Sequence, residues 1–387
     1  MTTRLAVIHS DDHGMDYADH PADRRRHQLA MALAREVGIL GAPGVEVLPG
    51  PPAMADAQLA TMFAPAFIRA MQAFSARPVL AAAPEARQWG VTPDVHPYAG
   101  MHHDSARLAA AAWQGGALVG EGRALRAFVP AGGAHHGLPY RMNGFGVYND
   151  TAVAILALRA AGVRRIAYVD LDVHHGDGTQ GFFWDDPEVL TVSVHESGRY
   201  LFPNSGFADE TGGPGAPGSA INVALPPEAG DEAYRQVMAR VVKPAVRAFA
   251  PEVLVTQNGV DHHHADPLSH MRTTMRLYPE LWASLDALAE ACCGGRWVAL
   301  GGGGYDPCNA PPRAWALLMA RMAGVPVATG DDLPPAWRDI ARAHGCTEPA
   351  SGWAREAVPP HHAGEPPTAA DVHAAIEATR AASPLLA

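Results

Sequence analysis

Residues 150–178 read DTAVAILALRAAGVRRIAYVDLDVHHGDG and contain the pattern on which the fold prediction rests. Residues 150–161 have apolar side chains at helical spacing, with Asn149 or Asp150 as the cap and a stop at Gly162. Residues 164–169 are rich in β-forming side chains and run directly into a polar, histidine-bearing turn. A helix that leads into a buried strand in this way predicts an α/β fold.

The same alternation continues along the rest of the chain. Further strands are predicted at residues 5–9, 189–194, 253–256 and 297–300, and further helices at residues 23–37, 231–249, 276–291 and 313–323. Apolar strands between amphipathic helices indicate an open, mostly parallel sheet with helices on both faces. Because the chain becomes rich in proline and charge near its end, we predict a core domain at residues 1–325 and a C-terminal extension at residues 326–387. The extension is expected to be partly helical, near residues 337–343 and 369–381.

The composition narrows the class of protein. The chain has 387 residues, of which 48% are hydrophobic and 18% are charged, and this excludes global disorder. A formal net charge of −11 discourages direct nucleic-acid binding and suits a cationic or lysine-bearing substrate. A strand-like start predicts no signal peptide, and the absence of a long apolar run predicts no membrane partner. Nothing in the sequence indicates the oligomeric state.

The four cysteines form no framework pattern. They are an adjacent pair, Cys292 and Cys293, and two scattered residues, Cys308 and Cys346. This spacing predicts neither a disulfide framework nor a zinc ribbon. A reducing cytoplasm is therefore the expected location.

Three polar residues follow the strand at residues 164–169. Asp170, Asp172 and His174 alternate along what we expect to be an extended backbone, so their side chains can share one side. Buried carboxylates without a partner are costly, and a divalent cation removes that cost. Asp172 and His174 are then two metal ligands, and Asp261 is a natural third, which leaves one position for water. Spacing alone does not identify the metal, because two carboxylates and one imidazole suit iron(II) as well as zinc. A hydrogen-bonded capping network is the alternative.

Two adjacent histidines, His135 and His136, follow a pair of glycines that let the backbone approach a ligand closely. Metal-assisted amide hydrolysis needs a base for the water and an acid for the leaving amine. Asp170 and Asp177 are free to orient the two imidazoles for such a role. A surface or structural histidine pair is the alternative.

The glycine run at residues 301–304 lacks the Lys-Ser/Thr of a phosphate-binding loop. It is better explained as a turn that brings Tyr305 to the site. A phenol there could donate a hydrogen bond to a tetrahedral oxyanion opposite the metal. A core tyrosine at a loop end is the alternative.

Five motifs together resemble those of the histone deacetylase family. They are PAGGAHHG (130–137), NGFGVYND (143–150), YVDLDVHHGDGT (168–179), VDHHHADPLS (260–269) and LGGGGY (300–305). The resemblance extends from residue 20 to about residue 325 and is nearest to the class I-like bacterial branch, the acetoin-utilization deacetylases. It implies an arginase–deacetylase α/β fold and a metal-dependent hydrolase that removes acetyl or short acyl groups from amines.

The resemblance also assigns roles to individual residues. It implies that His136 with Asp177 is the principal general base and acid, that His135 with Asp170 supports it electrostatically, and that Tyr305 polarises the acyl carbonyl. It implies a zinc site, with iron(II) possible, at Asp172, His174 and Asp261. It further implies a structural potassium site at the carbonyls of Asp170, Asp172 and His174, with Ser193 and Val194.

The resemblance implies a substrate site as well. Gly144, Phe145 and Phe202 match a narrow tunnel for the acyl-lysine stem, Asp94 a rim residue that binds substrate backbone, and Arg26 an arginine near an acetate-release channel. The implied substrate is an acylated lysine of a protein. The alternatives are a small N-acetylated amine such as an acetylpolyamine, or a non-catalytic scaffold that binds acyl-lysine. Residues 262–264, a run of three histidines, are expected to face solvent.

Overall fold

The structure is a computed structural model that describes residues 3–14, 21–92, 95–356 and 367–386. Eight strands occur in these residues: β1 (Thr3–His9), β2 (Val45–Pro49), β3 (Ala124–Val129), β4 (Ile166–Asp170), β5 (Val189–Glu196), β6 (Ala220–Leu225), β7 (Val253–Gln257) and β8 (Trp297–Leu300). They form one sheet in the order β2-β1-β3-β8-β7-β4-β5-β6, and every neighbouring pair is parallel. The predicted α/β class is confirmed, and the sheet is parallel throughout.

The helices are α1 (Arg25–Glu36), α2 (Asp56–Leu59), α3 (Pro65–Ala76), α4 (Met101–Gly120), α5 (Asp150–Ala160), α6 (Asp177–Phe182), α7 (Asp231–Val237), α8 (Lys243–Phe249), α9 (Tyr278–Cys293), α10 (Ala310–Ala323), α11 (Pro335–Ala343) and α12 (Ala369–Ala382). Helices α1 to α9 lie between strands along the chain, and α10 to α12 follow the last strand. Asn149 caps α5 as predicted, because its side chain accepts the amide N–H of Ala152. No helix in the described ranges is both long and apolar enough to cross a bilayer.

The two faces of the sheet bury different sets of helices. On β1, Leu5 and Val7 point into a core that includes residues of α1, α9 and α10, whereas Ala6 and Ile8 point into a core that includes residues of α4 and α5. This alternation follows from the two-residue side-chain period of a strand. The sheet is therefore covered on both sides, and only the ends of its strands are open to ligands.

One predicted helix, residues 231–249, is interrupted in a way that the sequence partly indicates. The segment consists of α7, a π-helical turn at Met238–Val242, and α8. Pro244 lies in the first turn of α8. Because proline lacks an amide N–H and its ring crowds the preceding turn, the wider turn lies directly before it, where we predicted a kink.

The C-terminal segment contains both predicted helices, α11 and α12, and is joined to the core. Trp337 is fully buried, and its indole N–H donates to the carbonyl of Leu29 in α1. The sequence predicted no disulfide framework, and it did not predict the one bond that the structure has, between Cys308 and Cys346 across 38 residues of sequence. The division of the chain at residue 325 stays a prediction.

Candidate functional site

The polar loops of the site follow four neighbouring strands. In the order of the sheet these strands are β3, β8, β7 and β4, and they lie at its centre. The loops after them carry, in the same order, His135 and His136, then Tyr305, then Asp261, then Asp170, Asp172 and His174. Parallel strands place their carboxyl ends at one edge, so these residues lie within reach of one another.

The structure brings Asp172, His174 and Asp261 together in a buried cluster. The Nδ1 atom of His174 lies 3.1 Å from Asp172 Oδ1 and 3.1 Å from Asp261 Oδ2. One ligand atom from each side chain lies within 4.8 Å of the other two. Two carboxylates and one imidazole in this arrangement are a donor set that zinc or iron(II) accepts.

The electrostatics of the cluster favour a cation. Burial and the nearby charge of Asp172 raise the pKa of Asp261 to about 7. Burial acts to lower the pKa of His174, but hydrogen bonds with the two carboxylates outweigh it and raise that pKa to about 10. A buried site that raises the pKa of both Asp261 and His174 attracts positive charge, and a divalent ion would neutralise both carboxylates. The residues therefore fit the expected metal.

Neighbouring groups hold the carboxylates in place. The amide of Gln257 donates to Asp172 Oδ2 at 2.6 Å, and the backbone N–H of Gly303 donates to the same oxygen at 2.7 Å. The backbone N–H of Val173 donates to Asp261 Oδ1 at 2.9 Å. Such support orients metal ligands. We did not predict the role of Gln257, although it is the last residue of β7 and belongs to the polar segment that contains Asp261.

The backbone around Asp172 differs from the prediction. Strand β4 ends at Asp170, and the next residues form bends where we expected an extended chain. The side chain of Asp170 accepts the N–H of Asp172, and the side chain of Asp172 accepts the N–H of His174. Local hydrogen bonds of this kind compete with a strand. They turn Asp172 and His174 toward the cluster while Asp170 contacts His135.

His135 and His136 each pair with one carboxylate. His135 Nδ1 lies 2.7 Å from Asp170 Oδ2, and His136 Nδ1 lies 2.6 Å from Asp177 Oδ1. The amide of Asn143 donates to the other oxygen of Asp177 at 2.7 Å. The two Nε2 atoms are 3.0 Å apart, which is within hydrogen-bond distance.

The two imidazoles have opposite pKa shifts. Burial would lower the pKa of His135, but the charges of Asp170 and Asp172 outweigh it and raise that pKa to about 9. Burial, followed by the charge of His135, lowers the pKa of His136 to about 4. His135 is therefore the protonated ring, and His136 is neutral, with a proton on Nδ1 directed at Asp177 and a basic Nε2. Opposite shifts in adjacent groups are typical of an acid–base pair.

Tyr305 lies at the end of the glycine turn and is held at its backbone. Asp266 Oδ2 accepts the N–H of Tyr305 at 2.7 Å. Arg26 donates to the carbonyls of Gly302 and Gly304, and its guanidinium lies 5.6 Å from the centre of the Tyr305 ring. We did not predict the role of Asp266, which lies in the same motif as Asp261.

The Tyr305 phenol is suited to donate a hydrogen bond. Its ring centre lies 6.5 Å from that of His174. Burial, together with the negative charges of Asp261 and Asp172, raises the pKa of Tyr305 well above its usual range. The phenol therefore keeps its proton and remains a donor beside the cluster.

Two aromatic side chains line the approach to this cluster. The Phe145 ring lies 6.0 Å from that of Tyr305, and the Phe202 ring, which is 41% exposed, lies 5.0 Å from that of His136. Phe145 has a φ of 67°, a conformation that costs energy for a non-glycine residue and is often found at functional sites. Gly144 also has a positive φ, and a Cβ there would lie 2.2 Å from His136 Cδ2, so this position requires glycine.

The aromatic approach leads into a cavity of about 80 Å³. Its lining includes His136, Phe145, Asp172 and Tyr305, and it continues inward to Arg26. One or more members of each predicted set (catalytic, metal-binding and tunnel) therefore line the same cavity.

The predicted residues not yet described are Asp94, Ser193 and Val194. Asp94 is outside the described residues. Ser193 and Val194 lie on β5, where Ser193 is the register partner of Asp170 and its hydroxyl contacts His195 Nδ1 at 2.8 Å. The potassium site at these residues stays a prediction.

The three histidines at residues 262–264 do not face solvent, so that expectation is wrong. His262 and His263 are buried, and His262 stacks on the rings of Tyr234 and Tyr278. His263 Nε2 lies 3.0 Å from Glu356 Oε2. This second cluster contains metal-ligand residue types, but the Arg313 guanidinium contacts the same Glu356 oxygen at 3.3 Å. It is therefore better described as an ion-pair network that attaches the C-terminal segment.

Comparison with known proteins agrees with this geometry. A family model described as "Histone deacetylase domain" matches residues 20–322. The chain is 34% identical over 324 residues to "Acetoin utilization protein AcuC" of Bacillus subtilis (strain 168), covering 84% of this chain and 82% of that protein. It is 33% identical to the protein of the same name from Staphylococcus xylosus, covering 82% and 81% of the two chains. A solved structure described as "Crystal Structure of HDA15 HD domain" superimposes with a TM-score of 0.72 at 24% identity, covering 88% of this chain and 92% of that one.

Proposed function

Because the chain belongs to the histone deacetylase family, we propose that it hydrolyses the acyl amide of lysine side chains on proteins, with one zinc ion as its cofactor. The observation that carries this proposal is that the buried Asp172–His174–Asp261 cluster reaches, through Asp172, a cavity that His136 and Tyr305 also line. A scaffold that only bound acyl-lysine would need neither the buried cluster nor the paired imidazoles.

The proposed chemistry divides between the metal and the chain. Zinc held by the cluster would supply a Lewis acid for the acyl carbonyl and lower the pKa of the attacking water. His136 Nε2 takes a proton from that water and returns it to the leaving lysine amine, while Asp177 keeps the ring oriented. Protonated His135 adds positive charge, and the Tyr305 phenol donates to the oxyanion that forms on the carbonyl oxygen of the acyl group.

The approach to the site supports an acyl-lysine substrate. Phe145 and Phe202 are apolar groups beside Tyr305 and His136, and they suit the aliphatic stem of lysine while excluding water. The net charge of −11 favours approach of a cationic protein segment. The proposal also includes a bound potassium ion beside β4 and β5 and a cytoplasmic location. It further includes a role in acetoin utilization, the process mentioned in the names of the relatives.

A panel of substrates tests the proposed function. The zinc-loaded protein would be assayed on peptides that carry acetyl- to hexanoyl-lysine, and on acetylated polyamines, by quantifying the released amine. Turnover on peptides at least tenfold above that on polyamines is the expected outcome. Preference for polyamines would replace the protein substrate with a small amine, and no hydrolysis of any amide by the metal-loaded chain would refute the proposal.

The metal site gives a separate prediction. We expect one divalent ion per chain in native mass spectra of the purified protein, and we expect Asp261→Asn to lose it, because the variant removes one of two ligating carboxylates. Elemental analysis would distinguish zinc from iron. Asp209→Asn, at an exposed carboxylate, is the matched control and should retain the ion. Equal metal content in the two variants would show that the ion binds elsewhere.

Asp266 gives a prediction about positioning. Asp266→Ala removes the acceptor of the Tyr305 N–H, so the phenol is held less firmly. We expect kcat to fall about tenfold, with KM little changed, because small misplacements of a catalytic group are costly. Steady-state kinetics on an acetyl-lysine peptide measure both constants. A rise in KM at constant kcat would instead assign Asp266 to substrate binding.

A further inference from the structure

The Cys308–Cys346 disulfide joins the site loop to the C-terminal segment. Cys308 lies three residues after Tyr305, in the loop between β8 and α10, and Cys346 follows α11. The proposed function above makes no use of this bond. Its position nevertheless links the covalent state of two cysteines to the loop that carries the proposed oxyanion donor.

The loop at residues 301–309 is held from both ends. Before Tyr305, Arg26 binds the carbonyls of Gly302 and Gly304, and Asp266 binds the Tyr305 N–H. After Tyr305, Asp306 accepts the N–H of Cys308 from within the loop itself. Arg313 also donates to the carbonyl of Asn309 at 3.1 Å. The disulfide adds a covalent tie between the second half of this loop and a distant part of the chain.

The other end of the disulfide is firmly attached to the core. In α11, the buried Trp337 donates to the carbonyl of Leu29. The carbonyl of His344, two residues before Cys346, accepts a 3.0 Å hydrogen bond from Arg25, which precedes Arg26. The segment that Cys346 belongs to thus contacts the same helix, α1, that supplies the arginine beside Tyr305. The Tyr305 loop and the segment of Cys346 are therefore connected twice, through α1 and through the disulfide.

We propose that Cys308–Cys346 is a thiol–disulfide exchange site, at which a dithiol reductant loosens the Tyr305 loop and lowers turnover. The inference rests on the proposed role of Tyr305. In the cytoplasmic location proposed above, a disulfide is usually redox-sensing or transient, which fits a bond beside a catalytic loop. Loss of the tie increases the conformational freedom of residues 306–309, and a displaced phenol stabilises the oxyanion less well.

The accessibility of the two sulfurs sets the direction of exchange. Cys308 is partly exposed, whereas Cys346 is buried. A thiolate of the reductant attacks Cys308 Sγ, the Cys308–Cys346 bond breaks, and Cys346 leaves as a thiolate that takes up a proton. The second thiol of the reductant then attacks the mixed disulfide and frees Cys308, which is protonated in turn. Two electrons pass to the chain, and the reductant leaves as a disulfide.

The test compares oxidised and reduced protein. Full-length, zinc-loaded chain would be assayed before and after treatment with dithiothreitol, with free thiols counted by alkylation and mass spectrometry. The oxidised chain should have two free thiols, Cys292 and Cys293, and the reduced chain four. We expect kcat on an acetyl-lysine peptide to be about tenfold higher in the oxidised form. Hydrogen exchange of residues 301–309 should be faster after reduction, a readout that needs no activity.

Cysteine variants separate this effect from other causes. Cys308→Ser combined with Cys346→Ser should have the lower kcat in both conditions, and Cys292→Ser should respond as the parent does. Metal content measured in each sample separates reduction of the disulfide from removal of zinc by the dithiol. The inference is overturned by equal kcat and equal loop exchange in the oxidised and reduced parent, or by four free thiols before reduction. Absence of hydrolysis in both states, with the loop difference present, would refute the proposed function alone.

Discussion

Replacing His136 with alanine is expected to lower kcat on an acetyl-lysine peptide by about 10²–10⁴-fold, the range typical of a lost general acid–base group. The neutral ring of His136 offers Nε2 as a base, and Asp177 fixes the Nδ1 proton at 2.6 Å. His135 cannot replace it, because the charges of Asp170 and Asp172 keep His135 protonated near neutral pH. The variant would therefore retain substrate binding and lose the proton transfers to and from the reacting atoms.

The measurement is steady-state turnover of zinc-loaded protein, with metal content determined in the same samples. His103→Ala is the matched control, because His103 is an exposed histidine on α4 that does not line the cavity. The control should keep parental kcat. If His136→Ala kept full turnover with its metal bound, the proton-transfer role would have to be assigned elsewhere, and the proposed mechanism would fail.

The sequence was sufficient to locate the site because its polar and titratable side chains follow directly after apolar strand segments. Apolar runs that end in Asp170 or precede Asp261 mark β4 and β7 directly. Strand β3 was not predicted, since Arg126 interrupts its apolar pattern. That arginine is fully buried and pairs with Asp286 and Glu290 from α9. A buried ion pair with a distant helix cannot be inferred from local periodicity, yet the histidines after β3 were still identified from their glycine-rich context.

What the sequence could not supply were contacts between distant residues. Gln257 and Asp266 are ordinary polar residues until the sheet places them against Asp172 and Tyr305. The burial of His263 depends on Glu356, which lies 93 residues further along the chain. The pairing of the two scattered cysteines depends in the same way on where α11 packs. Such partners are set by tertiary packing, so only the fold reveals them.

Replacing Tyr305 with phenylalanine is expected to lower kcat by about 10²–10³-fold, as is typical when one oxyanion donor is removed. The change deletes a single hydroxyl, while the ring contacts with Phe145 and Arg26 remain possible. Because the hydroxyl is needed most when negative charge develops on the acyl oxygen, KM should change little. The raised pKa of Tyr305 supports this role, since a phenol that ionised near neutral pH would repel that charge.

Tyr200→Phe is the matched control, because Tyr200 is a 61% exposed tyrosine and its hydroxyl is not part of the proposed site. It should keep kcat within about twofold of the parent, as expected for a surface change. Metal content should be unchanged in both variants, because neither hydroxyl belongs to the ligand cluster. Full turnover in Tyr305→Phe would mean that the metal alone stabilises the oxyanion. Holding the Tyr305 loop by Arg26, Asp266 and the disulfide would then serve no catalytic purpose. This substitution therefore tests both the proposed function and the proposed redox site, because each depends on Tyr305 as the oxyanion donor.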